Sequence, residues 1–216
     1  MAHGVTNIGI DRDQLTTMAK HARAAMGTEE LTVIADRGYF KGEEIVACHE
    51  AGIIAIVPKT TTSSAKANGR FDRADFIYAP EKNEYRCPAD QALIWRCSTV
   101  ERGLKLHRYW SSNCKQCAIK EKCTPGVERR ITRWEREDIL ETMQDRLDQA
   151  PDSMRIRRQT VEHPFGTLKL WMGSAHFLTR TLDRVSTEMG LHVLAYNLKR
   201  VMKILGSGAL IEAMRA

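Results

Sequence analysis

Leu31-Thr-Val-Ile-Ala-Asp36-Arg-Gly-Tyr-Phe40 joins a continuous apolar and β-branched run to a turn-forming tripeptide. Such a run is the pattern of a strand buried on both faces, and Asp-Arg-Gly ends it with turn chemistry. Upstream, Leu15, Met18, Ala19, Ala22 and Met26 recur at helical spacing. Asp11 is placed to cap that helix, Gln14 to complete a capping box and Gly27 to stop it. Downstream, a helix from about Gly42 to Ala51, closed by Gly52, leads to a second buried strand, Ile53 to Val57, ended by Pro58. Helix–strand–helix–strand with short connections predicts an α/β fold with a parallel sheet. Asp36 then stands at the carboxyl end of a buried strand, where open α/β sheets hold their ligands. It also meets the requirements of an ordinary turn aspartate.

Beyond Lys59 the pattern dissolves. Thr60-Thr-Thr-Ser-Ser64 has loop composition, and the chain to about Arg133 reads as irregular. Five of the six cysteines fall in this segment: Cys87, Cys97, Cys114, Cys117 and Cys123. Cys114-x2-Cys117 has the spacing of a metal-binding pair. With Cys123 and Cys87 it supplies four thiolates, enough for a tetrahedral structural zinc, which a segment poor in core residues can use to fold. Cys97 and His107 are alternative ligands. The competing reading is a set of reduced thiols, of which Cys48 is the clear buried example, since disulfides are not expected in the cytoplasm. Trp95, Trp110 and Trp134, with Tyr109, lie among basic residues. They can stack on unpaired bases or form the small core of the segment, and the second reading is preferred. Helical patterning resumes over Glu135–Gln149, Ser153 to about Trp171, and Leu182 to about Leu205.

A chain of 216 residues can bury a real core. No run of about 18 apolar residues is present to span a membrane. The N-terminus lacks a basic segment followed by an apolar one, so a cytoplasmic, nucleoid-associated protein is expected. The formal net charge of +6 is unevenly spread: residues 96–133 carry +7, residues 151–203 carry +5, and residues 1–95 carry −2. Basic charge concentrated in the middle and C-terminal portions points to a polyanionic partner. The alternative is that these charges merely solvate helix surfaces.

Arg158-Gln-Thr-Val-Glu162-His-Pro-Phe-Gly-Thr-Leu-Lys169 carries the sharpest chemical pattern. At roughly 100° per residue, Arg158, Glu162 and Lys169 fall within about 40° of one helical face. A carboxylate there can hold a divalent metal while the flanking cations grip phosphates, which suits phosphodiester chemistry. Pro164 lacks an amide hydrogen and crowds the carbonyl of Thr160, so a kink or restart is expected just past Glu162. His163 is either a water or phosphate contact or an ordinary polar helix residue.

Val33-Ile-Ala-Asp36-Arg-Gly-Tyr-Phe40 together with Arg158-x3-Glu162-x6-Lys169 resembles insertion-sequence transposases of the DDE type. The second motif is similar to their Tyr-Arg-Glu-Lys signature, although the tyrosine position is Arg155 here. The resemblance implies an RNase H-like core with a Cys-rich insertion. It also implies a two-metal Mg²⁺ or Mn²⁺ site with Asp36 and Glu162 as catalytic carboxylates, and Arg158 and Lys169 on DNA phosphates. Transposon ends and target DNA are the implied partners, with a homodimer in the DNA complex. Such enzymes carry a further aspartate on the opening strand of the sheet. Asp11, Asp13, Glu29 and Glu30 are the earlier carboxylates here, and no apolar strand precedes Asp11. The expectation is therefore an N-terminally incomplete core, with residues 1–58 as its α/β part, 59–134 as the basic Cys-rich insertion and 135–216 as the helical remainder. The alternative function is a non-catalytic, zinc-stabilised DNA-binding remnant of a transposase.

Overall fold

Residues 3–60, 63–173 and 175–215 are described by the computed structural model, so Thr61 and Thr62 of the loop after Lys59 lie outside it. The described residues form a mixed helix and sheet structure of two compact units. One comprises residues 1–59 with 139–216, and the other residues 60–138.

The first unit opens with α1 (Leu15–Met26), β1 (Leu31–Ile34), α2 (Gly42–Glu50) and β2 (Ile53–Ile56). β1 and β2 are parallel, Leu31 opposite Ile53 and Ile34 opposite Ile56, as the two apolar runs predict. Gly27 ends α1 at φ +61°, a left-handed conformation that costs glycine no Cβ clash. The start of α1 differs from the sequence reading. Asp11 opens a separate 3-10 turn, Asp11–Asp13, and α1 follows Gln14 with no capping bond from that side chain. The missing acceptor comes from α2: Glu44 Oε2 accepts the Thr16 amide at 2.8 Å, and the Glu44 carbonyl accepts the Thr16 hydroxyl at 3.0 Å. A carboxylate from a packed helix thus serves the amide that a local cap would have served.

A two-stranded sheet is marginal by itself, and helices cover this one. Leu15, Ala19, Ile45, Cys48, Ile53, Ala55, Val57 and Met143 are buried in one cluster. Met143 lies on α4 (Glu137–Gln149), and its sulfur accepts the Val57 amide at 3.4 Å. Next come α5 (Ser153–Gly166), α6 (Leu182–Leu205) and α7 (Ser207–Arg215), after the short helix α3 (Ser64–Ala67) earlier in the chain. α5 runs unbroken through Pro164 and passes into a π-helical turn, Thr167–Trp171. The restart expected just past Glu162 is therefore not seen, and the helix changes type only at Thr167. The Thr160 and Thr167 hydroxyls bond the carbonyls of Ile156 and His163 at 2.8 and 2.9 Å, a substitution for water that accompanies helix bending.

The second unit corrects the expectation of irregular structure. It is an antiparallel meander of β3 (Ile77–Ala79), β4 (Glu84–Arg86), β5 (Ala92–Glu101), β6 (Leu104–Trp110) and β7 (Ile131–Trp134), in that spatial order. β5 and β6 join through Arg102 and Gly103, at φ +52° and +80°, the primed geometry that matches strand twist in a two-residue hairpin. The core is Phe76, Tyr85, Leu93, Tyr109 and Ile131. Of the aromatics expected to form that core, Tyr109 does so, whereas the tryptophans do not: Trp95 is 47% exposed, and Trp110 and Trp134 are half-buried. Tyrosines take their place, with the Tyr85 ring 5.0 Å from Tyr78 and 5.2 Å from Tyr109. Asn83, at φ +49°, turns its side-chain oxygen to both hydroxyls, accepting from Tyr78 at 2.9 Å and from Tyr109 at 2.7 Å.

Candidate functional site

Asp36 follows β1, whose hydrogen bonding to β2 is prolonged by the Ala35 amide donating to the Ile56 carbonyl at 3.1 Å. This anchors the backbone just before the carboxylate. One oxygen, Oδ1, accepts the Gly38 amide at 2.9 Å. A Cβ at position 38 would lie 2.9 Å from that oxygen, so the glycine lets the turn close on the carboxylate. The other, Oδ2, accepts from Arg157 Nη2 of α5 at 2.9 Å. The Asp36 side chain is 43% exposed and that of Arg157 21%. Nearby, burial first and then the charges of Asp11 and Asp36 raise the Tyr39 phenol, while Arg157 acts in the opposite direction.

Glu162 has a different setting. Its side chain is 69% exposed, and Arg158, one turn earlier, stands 3.9 Å away. An exposed pair at that separation contributes about 0–1 kcal/mol. Glu162 follows Arg157 by five residues, about 140° further round α5, so the face turned to Asp36 is not the face bearing Glu162. Lys169 is exposed within the π-helical turn, where the regular 100° phase relating it to Arg158 and Glu162 is lost. Arg158 and Glu162 are therefore brought together, whereas Asp36 is joined to Arg157. Sequence reasoning missed Arg157. It adjoins a motif arginine, and its partner Asp36, just after β1, is distant in the chain.

In the second unit, Cys87, Cys114, Cys117 and Cys123 line one cavity, and all are free thiols. Burial raises the Cys123 thiol, as do the charges of Cys114, Cys87 and Cys117, while Arg129 opposes them. Cys97 lies on β5 and His107 on β6, where the imidazole bonds Ser98 at 2.7 Å; neither lines the cysteine cavity. Among the described residues, no group of three or more His, Cys, Asp or Glu side chains is arranged to hold a metal ion.

The basic residues of this unit are partly ordered by aromatics. Arg96 and Arg130 stand 5.8 and 4.8 Å from the Trp110 ring centre, and Arg133 3.9 Å from that of Tyr78. A concavity of about 650 Å³ is lined by Tyr78, Trp95, Lys105, His107, Tyr109 and Arg133, among others. Among the described residues, no helix is long and apolar enough to cross a membrane.

A family model described as a transposase DDE domain matches residues 86–202, more than half of the chain. The chain belongs to this family of DDE-type transposases, and the family implies a transposition-related function with DNA as partner. The matched segment contains Arg158, Glu162, Lys169 and the four cavity cysteines, while Asp36 precedes it. No curated protein and no solved structure matches the chain.

Proposed function

We propose that this chain is the catalytic region of a DNA transposase, performing metal-dependent strand cleavage and transfer. The observation that carries the reading is the bond between Arg157 and Asp36, which holds α5, the helix bearing Glu162, against the end of β1. In this reading residues 1–58 and 135–216 are an RNase H-like core and residues 59–134 its basic insertion. Support for that layout comes from the parallel β1–β2 pair and from the separate meander of the second unit.

Carboxylate oxygens suit Mg²⁺ or Mn²⁺. Each Asp36 oxygen accepts one hydrogen bond and retains a lone pair, and Glu162 is open to solvent, so the donor chemistry, though not the present arrangement, suits such an ion. When bound, the metal would polarise the phosphoryl group and activate the attacking oxygen. Asp36 and Glu162 would hold it, and Arg158 and Lys169 would neutralise and orient phosphates. Water attack at phosphorus would break the P–O3′ bond, leaving a 3′-hydroxyl and a 5′-phosphate; in transfer, that hydroxyl would attack a target phosphate and displace the target strand's own O3′, which leaves as a 3′-hydroxyl. Engagement of both carboxylates requires Arg157 to yield Asp36 and α5 to turn. A structural Zn²⁺ on Cys87, Cys114, Cys117 and Cys123 belongs to the same reading.

The second reading, a non-catalytic DNA-binding remnant, draws on the roughly 140° between Arg157 and Glu162. Mn²⁺ titration followed by electron paramagnetic resonance, with duplex DNA present, separates the two. Catalytic use of the pair predicts that Asp36→Asn and Glu162→Gln each weaken Mn²⁺ by roughly tenfold or more, at least the loss that outer-shell changes produce. The double variant should bind Mn²⁺ at least as weakly as the weaker single one. Unchanged Mn²⁺ binding in both, with DNA still bound, would leave the remnant.

A further inference from the structure

The four cysteines of the cavity each lie in or beside a tight turn. Cys87 leads a turn closed by its carbonyl accepting from Asp90 at 2.8 Å, and its sulfur accepts the Gln91 amide at 3.4 Å. Cys114 lies in the 3-10 helix Ser112–Gln116, and Cys117 ends it. Cys123 ends the next, Lys120–Lys122, and the Lys120 amide donates to the Cys117 carbonyl at 3.2 Å. The cavity, which Phe71, Phe76 and Leu93 also line, has a volume of about 30 Å³. Among the described residues the four thiols share this cavity without forming a group arranged to hold a metal.

Arg129 also lines this cavity. Its guanidinium carbon lies 5.4 Å from the ring centre of Phe76, a residue 4% exposed. Its Nε is buried and has no hydrogen-bond partner among the described residues. A cationic donor left unspent beside four thiols is costly as it stands. Zinc held by four thiolates carries a net charge of −2, and each thiolate is a strong acceptor. The orphan donor and the surplus negative charge are complementary.

We propose that Cys87, Cys114, Cys117 and Cys123 form a tetrathiolate zinc centre in which Arg129 is the counter-cation, donating its buried Nε–H to a ligand sulfur as the Gln91 amide does to Cys87. Ligation releases one proton from each thiol on binding Zn²⁺, with no change in oxidation state. Arg129 is a positioning residue: it acts on the metal through sulfur. The centre ties the turns of residues 87–91 and 112–123 together beside Lys115, Lys120 and Lys122, and so orders part of the basic surface. The inference rests on the structural-zinc reading and is independent of Asp36 and Glu162.

The test uses the full chain purified without chelators. Elemental analysis should give about one zinc per chain, and Cys117→Ser should lose it. In competition with a chromophoric chelator, Arg129→Met should bind zinc roughly 10–100-fold more weakly than the parent, the range for loss of an outer-shell partner. Arg129→Lys keeps the charge without Nε and should fall between them. In the cobalt-substituted protein, the sulfur-to-metal charge-transfer band should shift in Arg129→Met, which a purely packing role would not produce. Zinc held equally tightly by parent, Arg129→Met and Arg129→Lys would overturn the role of Arg129 while leaving the zinc reading intact. Folded parent protein without metal would overturn both. If Arg129→Met fails to fold, Arg129→Lys decides by itself: affinity and band equal to the parent's count against the proposal.

Discussion

Individual side chains set what each site can do. The ion pair with Arg157 gives Asp36 a cationic neighbour that competes with a metal for the same oxygen. Arg157→Gln should therefore tighten Mn²⁺ at Asp36, measured by paramagnetic titration; weaker binding would mean that Arg157 positions the carboxylate and does not obstruct it. Tyr109 offers a pH-dependent counterpart in the other unit. It is 1% exposed, and its phenol is raised well above the ordinary value, first by burial and then by Tyr78 and Tyr85, against the pull of Arg133. An acid whose folded pKa is raised favours folding while neutral. Its contribution is full below the unfolded value of about 10 and is lost as pH rises above it towards the folded value. The stability of the parent should thus fall faster above about pH 10 than that of Tyr109→Phe. At neutral pH the variant should be less stable by about 1 kcal/mol, for the lost bond to Asn83. Parallel pH profiles would show that Tyr109 titrates normally.

Elements depend on partners that a local pattern does not display. α1 obtains its N-terminal acceptor from Glu44 on α2, so Glu44→Ala should lower stability by about 1 kcal/mol, read as a fall in melting temperature. No change would mean that water serves Thr16 equally well. α6 carries exposed Leu191, Leu194, Leu198, Met202 and Leu205, spaced by three, four, four and three residues. This is a seam of coiled-coil period, and it supports the proposed homodimer. Sedimentation velocity should find a dimer that Leu198→Glu converts to monomer. A monomeric parent would remove this role from α6.

At the scale of the molecule, two cores are built separately, one under β1 and β2 and one within the meander. Metal removal should therefore act on one of them. A strong chelator is expected to lower the melting transition of the meander and leave that of the other unit in place, as followed by tyrosine and helix signals respectively. A uniform shift would show a single cooperative structure. DNA affinity should fall with salt, with a slope near −0.9 for each phosphate neutralised, because the charge of +7 over residues 96–133 acts mainly on phosphates.

Local chemistry determined much of this protein from sequence alone. The apolar runs at residues 31–35 and 53–57 mark two strands that pair in parallel, and Gly27 and Gly52 stop the preceding helices at positive φ; burial on both faces, expected from those runs, is corrected by the exposed Thr32–Ile54 pair. Leu104-Lys-Leu-His also alternates with period two before a strand pairing, and Arg102-Gly103 marks its hairpin. Those signals were legible but were outweighed by the density of charge and cysteine. Tertiary structure alone decided the rest. Arg157, 121 residues beyond Asp36, becomes its partner, Glu44 replaces a local cap, and tyrosines displace tryptophans from the meander core. Each of these outcomes depends on contacts between residues far apart in the chain, whereas periodicity and capping patterns register only near neighbours.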